Sequence, residues 1–255
     1  MSVAVAKAQV SSKPVLQLKQ LHKAFGGIVA IQEFSLDVFA GEIVALVGDN
    51  GAGKSTLIKM ISGVYQPTSG QIFLDEQEVS FSNASSARDL GIEVVYQDLA
   101  LAESQPVYMN MFLGRELQKG PFRQLDHKRM VDMTEQQVRE LDIRIPSAQT
   151  VVRSLSGGQR QGIAIARATQ WANKLVLLDE PTAALGVAET AKVESIIKGL
   201  RSKHLAILII SHSLDQVFRI SDRICVLRHG VQIGVCDTRT TDKNEIVSMI
   251  TGLAT

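Results

Sequence analysis

The residue types best suited to chemistry in this chain are at residues 48–56, Gly-Asp-Asn-Gly-Ala-Gly-Lys-Ser-Thr, which match the pattern GxxxxGK[ST]. The apolar run at 43–47 predicts a buried strand before them, and the apolar spacing within 57–61 predicts a helix after them. A glycine loop between a strand and a helix N-terminus forms a phosphate cradle, because backbone N–H groups and the helix dipole face the anion. Lys54 is then expected to reach the β- and γ-phosphates, and Ser55 to bind Mg²⁺. A chance Gly-Lys-Ser in a glycine-rich turn is the alternative.

Two adjacent carboxylates, Asp179 and Glu180, follow a second apolar run at 175–178. The carboxyl ends of strands in an α/β sheet face the crevice where ligands bind, so both side chains are expected there. Asp179 offers the hard oxygen ligand that Mg²⁺ requires, and Glu180 is placed to orient and polarise an attacking water. The alternative is that Asp-Glu-Pro only caps the following helix.

A second glycine-bearing helix start, Ser156-Gly157-Gly158, has a hydroxyl and free N–H groups that could bind an anion. A simple capped turn is the alternative reading. Gln97 and His212 each close a predicted strand near the same edge of the sheet, and either could be an ordinary polar loop residue. Neither has neighbours with metal-ligand spacing, so no zinc site is predicted.

Bulk composition narrows the class of protein. The chain has 255 residues, 45% of them hydrophobic, and a formal net charge of +1 without a basic run, so nothing indicates nucleic-acid binding. Cys225 and Cys236 lack metal-ligand spacing, and so few cysteines indicate a reducing cytoplasm. Both are expected to pack as small buried hydrophobic residues. No apolar run approaches the roughly 18–20 residues of a membrane helix. Residues 1–13 lack the apolar core of a secretory signal and are expected to form a flexible tail.

The remaining pattern predicts one α/β domain over residues 14–255. Strand-like segments come first, and residues 98–160 then show mainly helical spacing broken by Gly and Pro, which indicates a helical insert. Within the insert, Asp126 is expected to cap an amphipathic helix. The alternation of strands and helices returns at Ser156 and ends in a hairpin and a last helix capped by Asp242.

The order of these motifs resembles the ATP-binding cassette ATPases. GDNGAGKST, Gln97, LSGGQRQ, LVLLDEP and His212 follow one another as in that family, and the resemblance covers about residues 15–234. It implies an α/β fold with a RecA-like P-loop NTPase core, an antiparallel β subdomain and an inserted α-helical subdomain. It also implies that two copies form a head-to-tail homodimer around two ATP molecules.

The resemblance assigns roles residue by residue. Phe25 would stack on adenine, Glu180 would act as general base, and His212 would contact the γ-phosphate. Ser156, Gly157 and Gly158 would complete the site of a second copy. The implied catalytic residues are Glu180, His212, Gln97 and Lys54. The implied Mg²⁺ residues are Ser55, Gln97 and Asp179. The implied nucleotide-binding residues are Phe25, Gly48, Asp49, Asn50, Gly51, Ala52, Gly53, Lys54, Ser55, Thr56, Ser156, Gly157, Gly158 and Gln159.

GDNGAGKST, VYQDLAL, MNMFLGRE and PTAALGV resemble more closely the ATPases of bacterial sugar importers, particularly the single-cassette fructose type. This resemblance implies ATP and Mg²⁺ as cofactors, and membrane permease subunits and, indirectly, an external sugar-binding protein as partners. It implies a peripheral location on the cytoplasmic face of the bacterial inner membrane. Residues 98–115 would either dock a permease helix or simply pack the helical subdomain. Gly186 stands where the family commonly has Asp, and we expect it to relax one polar contact across the dimer.

Three other functions fit the sequence less well than transport. A soluble cassette ATPase acting on ribosomes or DNA usually carries two cassettes or a long coiled coil, and neither is seen here. A regulator that binds nucleotide without turnover conflicts with the intact Lys54, Asp179 and Glu180. A GTPase is disfavoured because residues 173–176 lack the Asp of the guanine-reading NKxD motif.

Overall fold

The computed structural model describes residues 13–183 and 185–253 of the chain. The tail predicted at residues 1–13 lies outside this part except for Lys13. The strands are β1 Pro14–Phe25, β2 Ile28–Phe39, β3 Ile43–Val47, β4 Ser69–Leu74, β5 Gln77–Val79, β6 Ile92–Val95, β7 Gln118–Lys119, β8 Gln124–Leu125, β9 Leu175–Asp179, β10 Ala206–Ile210, β11 Arg223–Arg228 and β12 Val231–Asp237. The α-helices are α1 Lys54–Ile61, α2 Ala84–Asp89, α3 Val107–Met111, α4 His127–Glu140, α5 Gly157–Trp171, α6 Val187–Gly199, α7 Leu214–Ile220 and α8 Lys243–Thr251.

A ten-stranded sheet runs through the described chain in the order β5-β4-β1-β2-β12-β11-β3-β10-β9-β6. Strands β11, β3, β10, β9 and β6 pair in parallel, whereas β1 pairs antiparallel with β2 and β4. The parallel strands are apolar on both faces, since both are covered. This architecture confirms the predicted α/β class with a P-loop core and an antiparallel portion.

Two hydrophobic cores lie on opposite faces of the sheet, because successive side chains of a strand point to opposite sides. In β3, Ile43, Ala45 and Val47 belong to the core that is shared with α3 to α8. Val44 and Leu46 belong to the other core, which contains α1, α2 and the antiparallel strands. The sheet therefore fixes the glycine loop from one face and the later helices from the other.

The segment between β6 and β9 is mostly helical, as the pattern predicts, but it also forms the small β7–β8 hairpin. Gly120 (φ +68°) is in the turn of this hairpin, which is too short for periodicity to reveal. Trp171 Nε1 donates to the Met111 carbonyl at 3.2 Å, and Arg115 forms an ion pair with Glu93 of β6 at 2.8 Å. The helical segment is thus tied to the sheet, while its exact domain limits at residues 98–160 stay a prediction.

The two cysteines, both predicted to be buried, differ in their exposure. Cys225 is fully buried, and burial raises the pKa of its thiol to about 12, so it packs as a small apolar residue. Cys236 is partly buried, and both thiols are free. Within residues 13–183 and 185–253, none of the helices is long and apolar enough to cross a bilayer.

Asp222 joins the starts of two parallel strands. Its Oδ2 accepts the backbone N–H of Ile43 at 2.9 Å, and its Oδ1 accepts Arg201 Nη1 at 2.9 Å. The Asp222 N–H in turn donates to the Ile43 carbonyl at 2.8 Å. Ile43 is fully buried, so its N–H depends on this carboxylate for a hydrogen bond.

We therefore expect Asp222→Ala to lower the free energy of unfolding by about 1–3 kcal/mol, because it leaves the buried N–H of Ile43 without its acceptor. Urea unfolding followed by circular dichroism measures this change. Asp132→Ala on the exposed face of α4 is the control and is expected to stay within about 0.5 kcal/mol of the parent. Equal effects of the two substitutions would contradict this role of Asp222.

Candidate active site

The glycine loop between β3 and α1 has its shape because two of its glycines leave no room for a side chain. Gly48 (φ +151°) would place a Cβ only 2.0 Å from the Leu227 carbonyl of β11. Gly53 (φ +106°) would place one 2.6 Å from the Ala30 carbonyl of β2. Only glycine fits such close approaches of backbone to backbone. The loop is therefore seated directly on β2 and β11.

The Lys54 side chain curls back into this loop. Its Nζ donates to the Gly48 carbonyl at 2.7 Å and to the Asp49 carbonyl at 2.9 Å, and the residue is 6% exposed. Burial lowers the pKa of the ammonium, and the carboxylates of Glu180, Asp49 and Asp179 act in the opposite direction. The cation is thus held at the centre of the loop and faces acidic side chains.

Glu180 and His212 meet at the carboxyl ends of two neighbouring strands. Ile210 of β10 pairs with Asp179 of β9, which brings the residues that follow to the same level. His212 Nε2 lies 2.8 Å from Glu180 Oε1. Glu180 has a left-handed backbone (φ +50°), which is uncommon for a non-glycine residue and concentrates at functional sites. This conformation turns the carboxylate away from the strand direction and toward the loop.

Asp179 is the last residue of β9. Burial raises the pKa of its carboxyl, the neighbouring Glu180 carboxylate raises it further, and Lys54 and Lys59 act in the opposite direction. A cation bound between these carboxylates would favour their charged forms. The electrostatics therefore suit a metal ion that arrives together with an anion.

One cavity of about 210 Å³ unites most of the predicted loop with the two strand-end residues. The described residues that line it are Ala30, Asn50, Gly51, Ala52, Gly53, Lys54, Ser55, Thr56, Glu180 and His212. A second cavity of about 240 Å³ shares Asn50 and His212 and includes Gly48 and Asp49. Ala30 was missed from the sequence, because its small side chain carries no chemical signal.

The donor set fits Mg²⁺ carried by a phosphate ligand. Nowhere in the described chain do three or more His, Cys, Asp or Glu side chains form a cluster that could hold a metal ion. Mg²⁺ typically takes one or two protein oxygens and completes its shell with phosphates and water. The Ser55 hydroxyl in the cavity and the Asp179 carboxylate beside it are oxygen donors of this kind.

Phe25 is at the end of β1 with 43% of its surface exposed. Its ring lies edge-on to Tyr65, with 5.2 Å between centroids, and the Lys23 ammonium is 4.9 Å from its centroid. Tyr65 and Lys23 were not singled out from the sequence. An aromatic residue in the turn after α1 was the available signal, but only the fold shows that it adjoins Phe25.

Gln97 is exposed in a bend two residues beyond β6. Because Val95 pairs with Leu178, Gln97 follows at about the level of Glu180 on the adjoining strand. Arg167 of α5 holds the following loop by donating to the carbonyls of Leu99 at 2.7 Å and Ala100 at 3.0 Å. Gln97 is not among the described residues that line the 210 Å³ cavity.

Ser156 caps the start of α5, so the capped turn that was the alternative reading of this motif is present. The Gln159 N–H donates to Ser156 Oγ at 3.3 Å, and the Ser156 N–H donates to Gln159 Oε1 at 2.9 Å. Gln159 Nε2 also donates to the Arg144 carbonyl at 2.6 Å, so this side chain shapes the turn. Its part in nucleotide binding stays a prediction.

The turn at 156–158 does not reach the glycine loop of its own chain. None of the described residues that line the 210 Å³ cavity comes from this turn. The Gly158 N–H instead donates to Glu189 of α6 at 3.1 Å. Glu189 was missed from the sequence, where it is only an acidic residue near a helix start.

Comparison with known proteins places these features in a family. The family model described as "ABC transporter" matches residues 31–183, more than half of the chain. The xylose/arabinose import ATP-binding protein XylG of Sulfolobus acidocaldarius is 43% identical, over 94% of this chain and 95% of its own. The fructose import ATP-binding protein FrcA of Rhizobium meliloti is 40% identical, over 95% of this chain and 96% of its own.

A solved ATP-binding cassette has the same fold. The ATP-binding cassette MJ0796, solved as a dimer in a post-hydrolysis state bound to ADP and Pi, superposes with a TM-score of 0.73. That match covers 89% of this chain and 100% of the other at 23% identity, so it shows the common fold. The family model and the two relatives show that this chain belongs to the ABC transporter family.

Proposed function

We propose that this chain is the ATP-hydrolysing, nucleotide-binding subunit of an ABC importer that takes up a sugar. The observation that carries the proposal is the cavity in which the loop around Lys54 faces Glu180 and His212. Import ATP-binding proteins at 43% and 40% identity over nearly the whole chain support the transport role. A soluble cassette ATPase of the ribosome or DNA is not favoured.

Each group around the cavity has a separate role in hydrolysis. The loop N–H groups, the start of α1 and Lys54 stabilise charge on the β- and γ-phosphates. Mg²⁺ would be held by Ser55 and Asp179, with Gln97 near it, and would neutralise charge on the phosphates. Glu180 takes the proton of the attacking water, and His212, 2.8 Å away, orients that carboxylate and contacts the γ-phosphate.

A second copy completes the site. The capped turn Ser156-Gly157-Gly158 presents a helix start but lies away from the cavity of its own chain, so we assign it to the γ-phosphate of a partner. Water would be excluded on closure, which strengthens the stabilisation of developing charge. The cassette MJ0796 was solved as a dimer bound to ADP and Pi, which supports the pairing of two copies. The head-to-tail arrangement around two ATP molecules is part of our proposal.

Closure of the dimer would move an integral-membrane permease. The chain would contact this permease through the surface of residues 98–115. Within this segment, Met111 and Phe112 are fully buried and pack the helical core, so they are unavailable for docking. Leu113 is 55% exposed and remains at the surface. The subunit would act peripherally on the cytoplasmic face of the cell membrane, and an external sugar-binding protein would act through the permease.

The transported molecule is proposed to be a monosaccharide such as fructose. The two relatives are named for import of xylose/arabinose and of fructose, all small sugars. The proposal of sugar class rests on this similarity. Uptake of labelled sugars by membrane vesicles that contain the chain and its permease identifies the substrate.

Glu180→Gln is expected to lower the ATPase rate of the purified chain by about 100-fold or more, because the amide cannot accept the proton. Binding of Mg-ATP is expected to persist, and slow turnover should accumulate an ATP-bound dimer. Phosphate release and sedimentation measure the two properties. Glu78→Gln on the exposed edge strand β5 is the control. Normal turnover in Glu180→Gln would contradict the role assigned to Glu180.

Phe25→Ala is expected to raise the Kd for Mg-ATP by about 5- to 100-fold, since aromatic stacking on a base is worth about 1–3 kcal/mol. Titration calorimetry of the two chains gives the ratio. Phe122→Ala is the matched control, because Phe122 is 85% exposed and belongs to the helical segment. An unchanged Kd in Phe25→Ala would place the adenine elsewhere.

Gly186→Asp tests the predicted loss of one polar contact across the dimer. The backbone of Gly186 is extended (φ −70°, ψ 165°) and a Cβ there meets open space, so the chain accommodates the new carboxylate. We expect stronger ATP cooperativity and a changed ATPase rate, and Gly186→Ala controls for the backbone. If rate and cooperativity both stay the same in Gly186→Asp, the contact is not relaxed at this position.

A further inference from the structure

Glu189 spans the starts of two helices. It is the third residue of α6, and its Oε1 accepts the Gly158 N–H of α5 at 3.1 Å. Its Oε2 accepts the Gly186 N–H at the start of α6 at 3.4 Å. The Gly158 N–H, the Ser156 hydroxyl and the Gly186 N–H lower the pKa of this carboxyl, so it is charged at neutral pH.

The packing around Glu189 is close. A Cβ on Gly158 would lie 3.0 Å from the Cβ of Glu189, so glycine lets the two helices approach. The carboxylate is placed where the partial positive charges of the α5 and α6 N-termini add. The chain thus provides its own anion at the turn that the proposed function assigns to a phosphate of the partner.

The two anions need the same donors. The proposed dimer places a γ-phosphate of the second copy at Ser156 and Gly158, and the Glu189 carboxylate already accepts the Gly158 N–H at 3.1 Å. The Gly158 N–H cannot donate a full hydrogen bond to the carboxylate and to a phosphate at once. Two anions that both lie within hydrogen-bond distance of this N–H also repel each other. Glu189 is only partly buried, and Lys192 lies one turn along α6 at the surface, so the side chain can swing into solvent.

We propose that Glu189 is a positioning residue that occupies the phosphate-binding turn in the lone chain and is displaced by the γ-phosphate of a second copy. This inference rests on the proposed function. When the Glu189 carboxylate is displaced, it no longer joins the turn at 156–158 to the Gly186 N–H. Phosphate binding at the start of α5 therefore releases the start of α6. Glu189 therefore sets how much ATP the dimer needs to close, and it links phosphate recognition to the segment before α6.

The test measures the Mg-ATP concentration at half-maximal dimer formation by sedimentation, in a Glu180→Gln parent. Glu189→Asp keeps the charge and can still cap α6, but it is one methylene too short to hold the Gly158 N–H. Glu189→Gln keeps the length and removes the charge. Both are expected to lower the midpoint by about 3- to 10-fold, because the phosphate no longer competes with a charge-assisted hydrogen bond.

Matched controls are Glu245→Asp and Glu245→Gln. Glu245 holds the equivalent third position of α8, where its N–H bonds the capping Asp242 side chain. These controls are expected to leave the midpoint unchanged. In chains with Glu180 intact, the KM for ATP should fall in Glu189→Asp by more than kcat changes, a split that mere loss of helix stability would not produce. Thermal melting shows whether each variant is folded.

An unchanged or raised midpoint in folded Glu189→Asp would overturn the role of Glu189 while leaving the proposed function in place. A Glu180→Gln parent that forms no dimer at saturating Mg-ATP would overturn the proposed dimer site and this inference together. A lowered midpoint in Glu189→Gln alone would show a general charge effect and would also overturn the contact-based role.

Discussion

The structure depends on how one lysine charge is buried. A cation removed from water must find fixed partners, and Lys54 finds them in the carbonyls of Gly48 and Asp49 and in the field of nearby carboxylates. The loop can present those carbonyls only because its glycines allow it to press onto the neighbouring strands. The Gly230 N–H, which donates to the Ala52 carbonyl at 3.0 Å, braces it from the hairpin of β11 and β12.

The same sheet gathers the reactive side chains from distant parts of the sequence. Strands β9 and β10 are parallel neighbours, so Glu180 and His212 emerge at one edge although about thirty residues separate them in the chain. The glycine loop leaves the adjoining strand β3 at that edge. Parallel strands buried on both faces therefore supply what the chemistry needs, a rigid row of strand ends that open into one crevice.

The helical segment shares a core with the sheet yet touches the site through few polar links. Arg167 connects α5 to the loop after Gln97, and Glu189 connects the start of α5 to α6. The Arg167 link ends on backbone carbonyls of the loop after Gln97, so a shift of α5 acts on that loop directly. An ATPase that drives a membrane partner needs such a connection, because closure at the phosphate has to be converted into movement of the helices.

Much of this was predictable from the sequence. The GxxxxGK[ST] loop, the strand before Asp179, the cap at Ser156 and the helix capped by Asp126 all appear where the pattern places them. These are local features, in which residue type and spacing over a few positions set the backbone. The small β7–β8 hairpin and helix α7 were not singled out, since short elements carry little periodicity.

By itself, the sequence determined which chemical groups the chain carries, their order, and the α/β class, because periodicity and glycine placement report local geometry. Only the tertiary structure decided which groups meet: Tyr65 against Phe25, His212 against Glu180, and Glu189 on the turn at 156–158. It also decided that Met111 is buried rather than available at the surface. Such contacts join elements far apart in the chain, and they follow from how the helices and strands pack, which no short pattern of residues records.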